Sequence, residues 1–79
     1  MSSRLTPINV LRFEKFLASV GCTFVRQAGS HRVFEKAGLA RPVIVPRHCA
    51  ELPPFIIRNN LRTLGISLEE YQKAIRKLK

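Results

Sequence analysis

Gly29-Ser30-His31-Arg32 places a hydroxyl, an imidazole and a guanidinium directly after a glycine. These are the groups that act on a phosphodiester. Imidazole takes and gives protons near neutrality, so His31 is a candidate general base or general acid. Arg32, Lys36 and Arg47 supply the positive charge that the developing oxygens of a phosphorane need. His48, which follows Pro46-Arg47, is a second candidate for an acid–base pair. The plainer readings are a turn histidine at 31, and at 48 a loop histidine that bonds a backbone carbonyl or caps the next helix. Ser30 is badly placed as a nucleophile, because neighbours on a strand point to opposite faces. Holding a phosphate through its hydroxyl or N–H suits it better.

The balance of charge points to the same partner. The chain has 79 residues, with 14 Lys+Arg against 5 Asp+Glu, for a formal net charge of +9. A surface this basic attracts polyanions, and a nucleic-acid backbone is the expected partner. The cations in or near the predicted sheet and its following loop are Arg26, Arg32, Lys36, Arg41, Arg47 and Arg58. With Ser30 they are the candidate RNA-binding residues. Arg76, Lys77 and Lys79 read as solvated surface.

The acids are Glu14, Glu35, Glu51, Glu69 and Glu70, and there is no aspartate. Hard cations are held mainly by carboxylate and water oxygens, so the chemistry is expected to need no divalent metal and no cofactor. Cys22 and Cys49 form no CxxC pair, and only His48-Cys49 are close in sequence. Zinc ligands come in close pairs, so no metal site is expected. The sequence carries no signal-peptide pattern and no run long enough to span a bilayer. A cytoplasmic, reduced, single-domain protein over residues 1–79 is the expectation.

The elements that must position these residues follow from the pattern. Thr6-Pro7 is a helix-start signal, and Val10, Phe13, Leu17 and Val20 recur at helical spacing up to Gly21. This predicts a helix over Pro7–Val20. Cys22–Ala28 favours strand, Ala28-Gly29-Ser30 is a turn, and His31–Lys36 alternates as a second strand. His31, Val33 and Glu35 then share one face, and Arg32, Phe34 and Lys36 the other. Pro42-Val43-Ile44-Val45-Pro46 is a third strand bounded by prolines. Arg47–Pro53 reads as loop. A helix opens at Pro53-Pro54 and ends at Gly65, and Ser67 through Glu70 is a capping box for a last helix striped by Leu68, Tyr71, Ile75 and Leu78. Phe13, Phe16, Phe24, Phe34 and Phe55 are expected in the core rather than as base-stacking platforms. The fold class is α+β, with a three-stranded antiparallel sheet packed on helices.

Gly29-Ser30-His31, Pro46-Arg47-His48, Glu51-Leu52 and Gly65-Ile66-Ser67 through Glu70-Tyr71, in this order, resemble the HicA toxins of HicA–HicB toxin–antitoxin systems. The resemblance covers nearly the whole chain. It implies an α-β-β-β-α fold like that of a double-stranded-RNA-binding domain. It also implies an mRNA interferase whose essential residue is the histidine of Gly-Ser-His, here His31, and a HicB-like antitoxin that neutralises it. The chain departs from the family at Pro53-Pro54-Phe55-Ile56-Ile57, where many members have Lys-x-Gly-Thr-Leu. The alternative is a non-catalytic RNA- or DNA-binding module of the same fold. An antitoxin-like regulator fits least, because no ribbon-helix-helix or helix-turn-helix signature is present.

Overall fold

The chain enters its first helix later than the Thr6-Pro7 signal predicts. The computed structural model describes residues 5–47 and 50–78. In it Ile8–Asn9 is a two-residue strand, β1, and helix α1 covers Val10–Ser19. Asn9 is the cap, its side-chain oxygen accepting from the N–H groups of Leu11 and Arg12 at 3.0 and 3.2 Å. Asparagine caps at least as well as threonine. Residues 8 and 9 are also drawn out of the helix by pairing with β5, Glu51–Leu52. The stretch expected to be loop, Arg47–Pro53, therefore contains a strand. Its partner Ile8 faces Leu52, and both are buried.

The end of α1 is as the sequence predicts. Gly21 has φ +96°, a conformation that a residue with a Cβ rarely adopts. The Cys22 N–H bonds the Leu17 carbonyl at 2.9 Å and the Gly21 N–H bonds that of Ala18 at 3.1 Å. This is a Schellman motif, and its apolar contact partners, Leu17 and Cys22, are both buried.

Strands β2 (Thr23–Ala28), β3 (His31–Glu35) and β4 (Val43–Pro46) form one antiparallel sheet in the order β2-β3-β4. Helix α2 (Pro54–Leu64) stops at Gly65, and α3 (Leu68–Lys77) starts from the predicted capping box. Ser67 Oγ accepts from Glu70 N–H at 3.1 Å, and Glu70 Oε1 accepts from Ser67 N–H at 3.0 Å. The order α-β-β-β-α-α holds, with β1 and β5 added. The layout is α+β and like that of a double-stranded-RNA-binding domain.

Phe13, Phe16, Leu17, Val43, Val45, Leu52 and Ile57 are fully buried between the sheet and the helices. Burying each such side chain contributes about 1.5–3 kcal/mol. Phe16 meets Tyr71 edge-on at 5.0 Å, and Phe13 lies 5.6 Å from Phe16, so the rings join α1 to α3. Asn60 is buried, and its Nδ2 donates to the Ile44 carbonyl at 3.3 Å, which ties α2 to the outer edge of β4. Two aromatic expectations fail. Phe24 is 45% and Phe55 60% exposed. Phe24 lies on β2, the opposite edge strand, where every position is exposed. Phe55 sits in the first turn of α2, away from the buried stripe of Ile57, Asn60, Leu61 and Leu64.

Candidate functional site

Gly29 and Ser30 form the two-residue turn between β2 and β3, with Ala28 facing His31 across it. Gly29 has φ +61°, and no described residue other than glycine has positive φ. A positive φ at the first turn position followed by a negative one is what a type II′ turn requires, and this turn suits the twist of a hairpin. Gln27 Nε2 donates to the Gly29 carbonyl at 3.1 Å. His31 is thus the first residue of the central strand, exposed, between Ala28 and Pro46.

Cross-strand partners share a face, so the register assigns each candidate to a side. Arg32 faces Val45, and Phe34 faces Val43, and both valines are fully buried. Arg32 therefore belongs to the helix-covered face. His31, Val33 and Glu35 belong to the other, as the alternation predicts.

Counted from the turn, Ala28 faces His31, Gln27 faces Arg32 and Arg26 faces Val33, so Arg26 lies on the face of His31. Phe24 faces Phe34, but the next pair is Arg26 with Val33, so Val25 is an extra residue in β2. Without that bulge the register counted from the turn would set Val25 opposite Phe34 and move Phe24 opposite Glu35, onto the other face. With it, Phe24 stays on the helix side, beside Arg32. A bulge commonly re-aims a side chain in this way.

The helix-side residues at the same end of the sheet are tied together by an acid that the sequence reading passed over. Glu14, midway along α1, accepts from Arg32 Nε at 2.9 Å and from Arg47 Nη1 at 3.4 Å. Arg32 also lies 4.1 Å over the Phe24 ring and donates to Gln27 Oε1 at 3.4 Å. The Arg47 N–H donates to the Ser30 carbonyl at 2.6 Å, extending the β3–β4 ladder past Pro46. The signal for Glu14 was its place beside the buried stripe, between Phe13 and Leu17, where a charge needs a partner.

The remaining candidates lie elsewhere. Lys36 is five residues beyond His31, about 16 Å along an extended chain. With Arg41 it lines a small cleft that also includes Glu35 and Pro42. Arg58 is exposed on α2, beside Leu61 and Arg62. His48 and Cys49 lie outside the described residues, as does Lys79. Among the described residues no three His, Cys, Asp or Glu come close enough to hold a metal ion. No described helix is long and apolar enough to cross a membrane. Burial raises the pKa of the Cys22 thiol against the opposing pull of Lys36. It pushes the Tyr71 phenol up to about 12, against the nearby Arg12 charge.

The arrangement can grip a phosphodiester from two sides of one hairpin tip. His31 and Arg26 present one face, and Ser30 and Arg47 reach it from the other. Comparison with curated proteins finds no match, and comparison with solved structures finds none either. A family model does match, over residues 12–66, and its description is the HicA toxin of bacterial toxin–antitoxin systems. The match runs from α1 through the whole three-stranded sheet and α2, well over half of the chain. The chain therefore belongs to the HicA toxin family, the toxin side of a toxin–antitoxin pair.

Proposed function

We propose that this toxin is a metal-independent endoribonuclease that cleaves mRNA, with His31 as its catalytic residue. The observation that carries the reading is the position of His31: exposed, at the mouth of a glycine turn, with Arg26 turned onto its face. A histidine built for packing has no need of that place. The family membership supplies the toxin role and implies an antitoxin partner.

The chemistry follows from the substrate. RNA carries its own nucleophile, the 2′-hydroxyl. A base that takes its proton starts attack on the adjacent phosphorus, and an acid then protonates the leaving 5′-oxygen. His31 fills one of these roles. Arg26 and Arg47 stabilise the charge that builds on the phosphorane oxygens, and Ser30 holds the phosphate. His48 is the second candidate for the other proton transfer. Arg32 contributes by supporting the tip, since its guanidinium already serves Glu14 and Phe24. A HicB-like, acidic antitoxin would silence the enzyme by covering His31 and the neighbouring arginines. The setting would be the cytoplasm, where mRNA is found.

His31→Ala is the test. It should abolish RNA cleavage and growth arrest with the fold intact, because an exposed strand-end residue adds little to the core. Products of the wild type should carry 2′,3′-cyclic phosphate and 5′-hydroxyl ends, and EDTA should not slow their formation. Full cleavage by folded His31→Ala protein, or cleavage lost to EDTA and restored by Mg²⁺, overturns the mechanism. RNA binding without cleavage by the wild type would leave a binding module.

A further inference from the structure

We propose that Glu14 is a positioning residue that holds Arg47 in the place of a substrate phosphate, and that RNA binding transfers Arg47 from this carboxylate to a phosphodiester beside His31. The inference rests on the ribonuclease reading above and assigns that site an internal stand-in for its substrate.

Glu14 treats its two arginines differently. Arg32 is bonded at 2.9 Å, with its side chain 23% exposed. It is also stacked over Phe24 and bonded to Gln27. These contacts lock it. Arg47 meets both Glu14 oxygens, but only at 3.4 and 3.5 Å, and its side chain is 34% exposed. An open pair of this length is weakly held. The root of Arg47 is fixed by the 2.6 Å bond from its N–H to the Ser30 carbonyl, one residue before His31. The guanidinium can therefore turn while its backbone stays beside the catalytic position.

Carboxylate and phosphate oxygens fit a guanidinium in the same forked way. A phosphate arriving at the hairpin tip can thus replace Glu14 at Arg47 without rebuilding the site. Arg32 keeps Glu14 occupied, so the released carboxylate is not left without a cation. Glu14 has two opposed effects on the enzyme. It competes with RNA for Arg47, which weakens binding. It also keeps a long, rotamer-rich side chain ordered before substrate arrives, which lowers the entropy lost when the phosphate takes it.

Glu14→Gln separates these effects, since it keeps the size and removes the charge. RNA affinity should be measured in a His31→Ala background, where nothing is cut. Glu14→Gln should tighten binding about two- to fivefold, the worth of an exposed ion pair. With His31 intact, KM should fall by a similar factor. In an Arg47→Ala background the affinity gain should vanish, because the two changes act through one contact. Should Glu14→Gln not fold, Glu14→Asp should give the same gain, since a shorter side chain loses the longer Arg47 contact first. Unchanged or weaker RNA binding by a folded Glu14 variant overturns the proposal, as does an equal gain without Arg47. A protein that cuts RNA normally but shows no affinity shift sinks the role of Glu14 alone. One that binds RNA without cutting sinks the ribonuclease reading, while the affinity shift still tests Glu14.

Discussion

The two ends of the three-stranded sheet carry similar charge and differ in almost everything else. At one end, Arg32 and Arg47 are bound to a single carboxylate, and a backbone bond fixes Arg47 beside Ser30. At the other, Lys36 and Arg41 flank a turn in which the Leu39 N–H bonds the Lys36 carbonyl at 3.2 Å. Among the described residues, the ion pairs all belong to the first end. A count of cations cannot tell these ends apart. What separates them is order: among the described residues, only one end has cations held in ion pairs, with His31 beside them. A polyanion would be attracted to both ends, and under the proposed mechanism only the first acts on it.

The comparison breaks if both ends prove equal toward RNA. Arg26→Ala and Arg47→Ala should each weaken binding about fivefold at 0.1 M salt, the effect of losing one counterion-releasing phosphate contact. Lys36→Ala and Arg41→Ala should each cost less than about twofold, as solvated charges do. Fluorescence anisotropy against salt concentration checks both, and equal losses at the two ends would erase the distinction.

Deleting Val25 sharpens the comparison within the first end. The deletion removes the bulge and leaves Arg26 opposite Val33, because the turn still pairs Ala28 with His31. RNA affinity should be kept, and Arg26→Ala should cost as much in this background as in the full chain. Loss of the Arg26 effect would show that the bulge, and not the turn, sets its place.

The smallest effect is expected far from either end. The folded-state pKa of Tyr71, about 12, stands above its usual 10. The folded protein therefore holds this proton more tightly than the unfolded chain does. The stability linked to it is complete below about pH 10 and is lost as pH rises through about 12. Tyr71→Phe should flatten that part of the melting curve against pH and leave RNA binding at neutral pH unchanged. An unchanged alkaline slope in Tyr71→Phe would rule the phenol out as its source.

Local signals explain why much of this molecule was legible in its sequence. The glycine turn before His31, the prolines around β4, the Ser67–Glu70 box and the stripe of α1 each act within a few residues, so sequence spacing reports them. What was missed depends on contacts between distant segments. β1 and β5 are two residues each, too short for any periodicity, and exist only because they pair across the chain. Their pairing moved the helix start from Thr6-Pro7 to Asn9. The Val25 bulge is a property of two strands, and no pattern in β2 alone announces it. Phe24 reads as core by type, yet it lies on an edge strand and is covered by a guanidinium instead. The place of His31, at a strand start after a glycine turn, was visible in the sequence. The arrangement of its cations was not, because Glu14 reaches them from another element.

Cys22 sits where α1 turns into β2, nearly sealed from solvent, with burial disfavouring its thiolate. Only the thiolate attacks electrophiles, so alkylation at this sulfur waits for the chain to open around it. The rate at which iodoacetamide marks the Cys22 peptide then becomes a clock for that opening. A bound antitoxin that braces α1 against the sheet should slow the clock. One that grips the hairpin tip alone should leave it running at the same pace.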